Sequence, residues 1–107
     1  MESQCIKIKL KSGKTEQFLD WAKTLSLRSS EVREALSSEG MNSELLLLDR
    51  SSDGDYVILY TRAKNLAEAN TAFERSVLKL DQEAKKIMAE TWDLSSVRVL
   101  ERYLEFL

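Results

Sequence analysis

The fold is decided by the segment Glu44-Leu45-Leu46-Leu47-Leu48-Asp49-Arg50, in which four consecutive leucines stand between charged residues. Successive side chains of a strand point to opposite faces, so Leu45 and Leu47 need one apolar cover and Leu46 and Leu48 need another. The helices of the chain can supply one of these covers. The simplest supplier of the second is another copy of the same sheet. The segment therefore predicts a small α+β homodimer.

The first forty residues predict a strand followed by a long helix. Residues 4–10 alternate between apolar and polar, which is typical of a strand. Thr15 is predicted to cap a helix whose apolar residues recur every three or four positions. Residues 26–30 have weaker helix propensity and would allow a bend. Gly40 is predicted to end the helix as its C′ residue.

The rest of the chain predicts three strands and two helices. They are a strand over 41–50, a turn at 51–54, a strand over 55–63, a helix capped by Asn65, a short helix capped by Asp81 that ends near Trp92, and a last strand over 97–107. This order is that of the ferredoxin-like βαββαβ fold, a four-stranded antiparallel sheet with the helices on one face. We expect one domain over residues 1–107, because no segment has the composition of a linker.

A sheet of this kind leaves one face bare. Strand alternation is expected to place there the apolar residues Leu46, Leu48, Ile58, Tyr60, Leu100 and Leu104. Such a patch exceeds what soluble monomers usually expose. Pairing two bare faces removes it, and a two-fold homodimer is the commonest closed solution. The sequence therefore predicts a dimeric α/β barrel with a modest pocket at the paired sheets.

Composition excludes several classes of function. A formal net charge of −2 removes the attraction on which non-specific nucleic-acid binding depends, so nucleic acid is not an expected partner. The chain has no histidine and a single cysteine, Cys5, which argues against a zinc, copper or haem site and against Ser-His-Asp catalysis. No cofactor is expected, because the sequence carries no cofactor motif. No apolar run approaches the ~20 residues of a membrane span, and no signal-peptide pattern opens the chain. We expect a cytoplasmic protein that binds no membrane.

Polar side chains are predicted to share the bare face with the leucines. By strand parity they are Lys7, Lys9, Glu44, Tyr60, Arg62 and Arg98. Charges that become buried in a dimer must pair or line a wet cavity. One interpretation is structural ion pairs, such as Glu44 with Lys7 or Arg98. The other is a pocket mouth in which Lys or Arg binds an anionic or enolic group, with Glu44 as base and Tyr60 as hydrogen-bond donor.

Several short segments give the sequence a family resemblance. They are Lys11-Ser12-Gly13-Lys14-Thr15-Glu16, which opens the first helix, and then Glu74-Arg75-Ser76, Leu80-Asp81 and Met88-Ala89-Glu90-Thr91-Trp92. The chain resembles the dimeric α/β-barrel superfamily of cofactor-independent monooxygenases, muconolactone isomerases and stress-responsive barrel proteins, and within it an uncharacterised bacterial family. The resemblance implies that Glu90 and Trp92 close the edge of the pocket. The chain departs from the family pattern at Leu78 and Ala84, where relatives often carry histidine.

The function predicted from these observations is that of a homodimeric barrel protein that binds a small anionic or enolic molecule, at the paired sheets or between sheet and helices, without catalysis. The missing histidines favour this interpretation. The alternative is a cofactor-independent enzyme resembling the barrel-type monooxygenases or isomerases. The residues predicted to bind the ligand are Lys7, Glu44, Tyr60, Arg98, Glu90 and Trp92.

Overall fold

A computed structural model describes residues 1–106, and residue 107, the end of the predicted last strand, lies outside the described residues. The elements are β1 (Glu2–Lys9), α1 (Thr15–Thr24), α2 (Ser29–Glu39), β2 (Met41–Ser51), β3 (Gly54–Ala63), α3 (Leu66–Arg75), α4 (Lys79–Thr91) and β4 (Arg98–Val99). The strands form one antiparallel sheet in the order β2-β3-β1-β4. The predicted ferredoxin-like α+β fold is confirmed.

The predicted long first helix is two helices. A 3-10 turn over Leu25–Leu27 separates α1 from α2, at the place where helix propensity is weak. Thr15 does not cap α1, because it is the first residue of the helix and Lys14 stands at the cap position. Its Oγ1 donates to Asp55 Oδ2 on β3 at 2.7 Å. Gly40 ends α2 in the left-handed conformation, with φ +74°, as predicted.

The hairpin between β2 and β3 fixes which leucines face the helices. Ser51 pairs with Gly54, so the loop has two residues, and this register sets Leu46 opposite Leu59 and Leu48 opposite Val57. Val57 is fully buried in the core beneath the helices. The prediction that Leu46 and Leu48 lie on the bare face is therefore wrong. That face carries the other two leucines of the segment.

The core lies between the sheet and the helices. Its buried members are Ile8, Leu10, Phe18, Val57 and Trp92. The Phe18 ring meets the Trp92 ring edge-on, with 5.7 Å between centroids, and lies 6.4 Å from the Trp21 ring. These aromatic contacts join α1 to the residue that follows α4.

The second half of the fold confirms one predicted helix cap and corrects another. Asn65 Oδ1 accepts a hydrogen bond from the Glu68 N–H at 3.0 Å, as the cap of α3. Asp81 is not a cap, since α4 already begins at Lys79 and Asp81 lies buried in its first turn. Among the described helices, none is long and apolar enough to cross a membrane.

The predicted last strand is almost entirely wrong over its described part. β4 has only two residues, Arg98 and Val99, opposite Lys7 and Ile6 of β1. The Leu100 N–H still donates to the Cys5 carbonyl at 2.8 Å, and the backbone then leaves the ladder. Beyond this point the segment 100–106 is held to β1 through side chains. Ser3 Oγ donates to Glu105 Oε2 at 2.5 Å and accepts from Arg102 Nη1 at 3.2 Å.

Candidate functional site

The sheet face turned away from the helices is called the open face here. Directly paired residues of antiparallel strands share a face, so the register defines its members. They are Ser3, Cys5, Lys7 and Lys9 on β1, Leu45, Leu47 and Asp49 on β2, Tyr56, Ile58, Tyr60 and Arg62 on β3, and Arg98 on β4. Leu45 keeps 51% and Leu47 48% of its surface exposed. Both leucines are thus left largely uncovered by their own subunit.

Three of the six predicted ligand-binding residues lie on the open face. Lys7 and Arg98 are direct register partners across β1 and β4. Tyr60 is opposite Cys5, one diagonal step from Lys7. Two like charges placed directly opposite each other on an antiparallel pair repel. This pairing therefore leaves two positive charges side by side on the open face.

We call the group of Lys7, Lys9, Arg98 and Tyr56 the basic corner. Lys7 Nζ lies 4.5 Å and Lys9 Nζ 5.8 Å from the centroid of the Tyr56 ring. Asp49 is the counterion of Lys7, with 3.4 Å between Nζ and Oδ2. Within residues 1–106, neither Lys9 nor Arg98 forms an ion pair. Asp53 also faces the corner, since its Oδ2 accepts a hydrogen bond from the Tyr56 hydroxyl at 2.6 Å. The three cations therefore outnumber the two carboxylates, Asp49 and Asp53, by one charge.

A groove of about 510 Å³ opens at the other end of the open face. Its lining combines the start of β1, Tyr60 and the C-terminal segment. The lining residues are Ser3, Gln4, Cys5, Tyr60, Leu66, Val99, Leu100, Glu101, Arg102, Leu104 and Glu105. Tyr60 thus lies between this groove and the basic corner. It is the one predicted site residue that contacts the groove.

Glu44 does not lie where strand parity predicts. It pairs with Thr61, which is buried on the helix side of β3, so Glu44 points towards the helices. The two-residue hairpin loop is the physical reason, because it sets the parity of all of β2. Part of the residue remains exposed on the edge strand. Burial of its carboxyl group, followed by the charge of Asp81, raises the pKa of Glu44.

Glu90 and Trp92 also lie away from the open face. Glu90, exposed on α4, accepts a hydrogen bond from Gln17 Nε2 on α1 at 2.8 Å. Trp92 is buried in the core and forms a bridge to Leu10 at the end of β1. Its indole N–H has no hydrogen-bond partner within residues 1–106. The structure therefore brings together Lys7, Tyr60 and Arg98 and separates them from the other three predicted residues.

Sequence reasoning missed a buried pair of acids, Glu39 and Asp81. Glu39 is the last residue of α2, and Asp81 lies in the first turn of α4. A signal for both exists in the sequence, because each continues an apolar helical stripe. Glu39 follows Val32 and Ala35 at helical spacing, and Asp81 precedes Ala84 and Met88 in the same way. A charged residue in such a position is buried when the helix docks.

Two solved structures share the fold over their full lengths. An L-rhamnose mutarotase from Formosa agariphila is 12% identical, with all of both chains covered and a TM-score of 0.63. A "putative antibiotic biosynthesis monooxygenase" from Nitrosomonas europaea is 16% identical, with 98% of this chain and 100% of that chain covered and a TM-score of 0.60. At these identities the likeness establishes the ferredoxin-like fold alone. A comparison with curated proteins by sequence finds no match.

The resemblance to an uncharacterised family is confirmed by a family model that matches residues 1–106. The description of that family is "Family of unknown function". The match extends from β1 through the C-terminal segment and so includes the open face, the groove and the acid pair. The chain belongs to the DUF6176 family.

Proposed function

We propose that the protein is a homodimer whose subunits pair through the open face, and that it binds a small anionic or enolic molecule there without catalysis. The observation that carries the proposal is the combination, on one sheet face, of exposed leucines with a corner in which cations outnumber carboxylates. The leucines favour a protein cover, and the cations favour an anionic ligand at its edge.

The apolar part of the open face supports the dimer. Leu45 and Leu47 pair with Tyr60 and Ile58, so the four side chains form one continuous strip. Full burial of a leucine contributes about 1.5 to 3 kcal/mol. A second copy is the partner that offers an identical strip, and a two-fold axis lets each strip cover the other.

The charged part of the open face supports the ligand. A dimer formed through this face would dehydrate the basic corner, and burying an unpaired cation costs several kcal/mol. An anionic group lying between Lys7 and Arg98 would offset that cost with charge-assisted hydrogen bonds. Tyr60, between the corner and the groove, can donate a further hydrogen bond to an anionic or enolic oxygen.

Light scattering on dilute protein tests the dimer. We expect twice the 12.3 kDa mass of the chain. Leu47→Asp should give the monomer, because it would bury a carboxylate in the paired strips. Leu27→Asp is the matched control. Leu27 is exposed in the 3-10 turn between α1 and α2, and it is not one of the residues of the open face. A monomeric wild-type protein would refute the dimer.

A thermal-shift screen against small carboxylates, sugars and phenols tests the ligand, because binding to the folded state raises the melting temperature. The shift should be lost in Arg98→Ala and kept in Arg33→Ala, a change at an exposed position of α2. Glu44→Gln distinguishes the two locations considered for the site. An unchanged shift agrees with the open face, whereas a lost shift would move the ligand to the space between sheet and helices.

The second candidate is a cofactor-independent enzyme. It is favoured by the fold shared with a mutarotase and with a protein described as a monooxygenase, both of which act on small molecules by name. Lys7 and Tyr60 would then supply proton transfer at the open face. Anomer exchange of reducing sugars, followed by NMR, tests it directly. Exchange that is faster with wild-type protein than with Tyr60→Phe would favour the enzyme over the binding protein.

A further inference from the structure

Next to the basic corner, the open face carries a row of uncharged side chains. The Leu100 N–H donates to the Cys5 carbonyl, which continues the register of β4 and sets Leu100 directly opposite Cys5. Cys5 is also the register partner of Tyr60 on β3. These three side chains form one row across three neighbouring segments of chain, and all three line the groove. We call them the uncharged row.

The uncharged row lies within reach of a small molecule held at the corner. Cys5 and Lys7 are two residues apart on β1, and Leu100 and Arg98 are two residues apart beside it, so about 7 Å separates the row from the two cations. Three neighbouring strands make the row about 10 Å long. The groove, of about 510 Å³, has the volume of a small-molecule site. A ring or a short branched chain attached to an anionic group fits these dimensions.

The charges at the two ends of this path differ in sign. At the corner, three cations face two carboxylates, which leaves one positive charge for a ligand to neutralise. At the far end, Glu101, Arg102 and Glu105 line the groove, and we call them the acidic rim. Arg102 Nη1 lies 3.6 Å from Glu105 Oε1, and Glu105 Oε2 accepts a hydrogen bond from Ser3 Oγ at 2.5 Å. The rim therefore has one negative charge in excess and repels a second anionic group.

The path from the corner to the rim lies beside the apolar strip of the proposed dimer. Leu45, Leu47 and Ile58 of the strip belong to β2 and β3, whereas Cys5 and Leu100 lie on the β1 and β4 side of the sheet. Tyr60 is common to the strip and the row. One sheet face thus has room for a subunit contact on one half and a ligand on the other.

We propose that the groove holds the apolar body of the ligand, and that the ligand is a monocarboxylate with a ring or a short branched chain. This inference rests on the proposed function, because it takes the anionic group to lie between Lys7 and Arg98. The body then covers the uncharged row and packs against Tyr60. Its far end approaches the acidic rim, where an uncharged group is accepted and a second carboxylate is not.

Four probes test this class of ligand by NMR titration of the wild-type protein. They are acetate, phenylacetate, 2-phenylethanol and 4-carboxyphenylacetate, which differ in the ring or in the number of charges. Phenylacetate should bind at least about tenfold more tightly than acetate, because burial of its ring adds to the charge contact. It should also bind more tightly than the neutral alcohol and than the dianion, whose second carboxylate meets the rim.

The same titrations separate the failure of this inference from the failure of the proposed function. Equal affinities for acetate and phenylacetate, or for phenylacetate and the dianion, would overturn the groove proposal and leave an anion site at the corner. If none of the four probes binds, the anion site itself is refuted, and the groove proposal is refuted with it.

Two variants assign the ring and the charge to their places. Leu100→Ala should weaken phenylacetate by about threefold or more and leave acetate unchanged, since it removes apolar contact only. Arg98→Ala should weaken both probes. Leu94→Ala, at an exposed position of the 3-10 turn before β4, is the control and should change neither. Unchanged phenylacetate binding in Leu100→Ala would contradict the proposal.

A further measurement uses the wild-type protein alone and so does not depend on the folding of a variant. Intermolecular NOEs should join the ring protons of bound phenylacetate to the Leu100 methyl groups. NOEs to the methyl groups of Leu45 or Leu47 instead would place the ring on the apolar strip. Either that result or the absence of NOEs to any leucine would overturn the proposal.

Discussion

Gly54, at the start of β3, is the position where one added methyl group tests the hairpin most directly. Its φ is +136°, and a Cβ built there would lie 2.7 Å from Lys9 Cε. Gly13 is a matched control, since its φ is +74° and nothing lies within 4 Å of its Cβ position. A non-glycine residue in such regions costs about 1 to 3 kcal/mol. We expect about 1 kcal/mol for Gly13→Ala and about 3 kcal/mol for Gly54→Ala, whose region is essentially restricted to glycine.

The contact with Lys9 contributes the smaller part of this loss, because the end of a lysine side chain can move. Lys9→Ala removes the contact, so the double variant Gly54→Ala/Lys9→Ala isolates the backbone strain. Urea unfolding, followed by the fluorescence of Trp21 and Trp92, measures each free energy of unfolding. If Gly54→Ala destabilises no more than Gly13→Ala, the reasoning about the hairpin is refuted.

Three further predictions concern the packing and the helix ends. Phe18→Ala should lower the free energy of unfolding by about 3 to 5 kcal/mol, because the ring is buried between two tryptophans. A loss below about 1 kcal/mol in urea unfolding would contradict this expectation. Asn65→Ala should cost about 1 kcal/mol through loss of the α3 cap, whereas Asn70→Ala on the exposed side of α3 should cost less, as thermal unfolding can check. Thr91→Val should lower the free energy of unfolding by about 0.5 to 1.5 kcal/mol, because Thr91 is fully buried and its Oγ1 donates to the Ile87 carbonyl at 2.6 Å. A variant with a raised melting temperature would show that this hydrogen bond does not stabilise the fold.

The order of elements could be predicted from the sequence because each element carries its own local period. Residues 4–10 alternate and residues 55–63 contain a short run of β-branched and aromatic residues, both of which are typical of strands. Gly40 and Asn65 mark helix ends through conformations that depend only on nearby residues. The break at Leu25–Leu27 also coincides with a local loss of helix propensity. Local chemistry thus decides most of the fold.

The faces of β2 depend on the register of its hairpin with β3. The turn predicted over 51–54 implies the observed register, with Arg50 opposite Asp55, so the prediction that Leu46 and Leu48 share a face with Ile58 and Tyr60 does not agree with that turn. A single extra residue in the hairpin loop would exchange Leu45 and Leu47 with Leu46 and Leu48. The same parity decides whether Glu44 joins the basic corner or the acid pair. This dependence accounts for Glu44 alone, because Glu90 and Trp92 were expected at the pocket only from the family resemblance.

The last strand illustrates a different limit of sequence reasoning. Residues 97–106 alternate, yet only Arg98 and Val99 pair with β1. Alternation of apolar and polar residues indicates that a segment can bury one face. It does not show whether a neighbouring strand lies close enough to form backbone hydrogen bonds with it. The prediction that Asp81 caps a helix is wrong for a similar reason. A residue can act as a cap only where the helix begins, and α4 begins two residues earlier, at Lys79.

The position of β2 at the edge of the sheet has a consequence for the protein before it has finished folding. Its outer backbone groups pair with no strand of residues 1–106, and they accompany four consecutive leucines. Such a segment is a template for cross-β aggregation when chains meet in a partly folded state. Glu44 at one end, and Asp49 with Arg50 at the other, act as gatekeeper charges against this stacking. Neutralising them would leave the native architecture intact while making refolding at high concentration prone to fibrous precipitates.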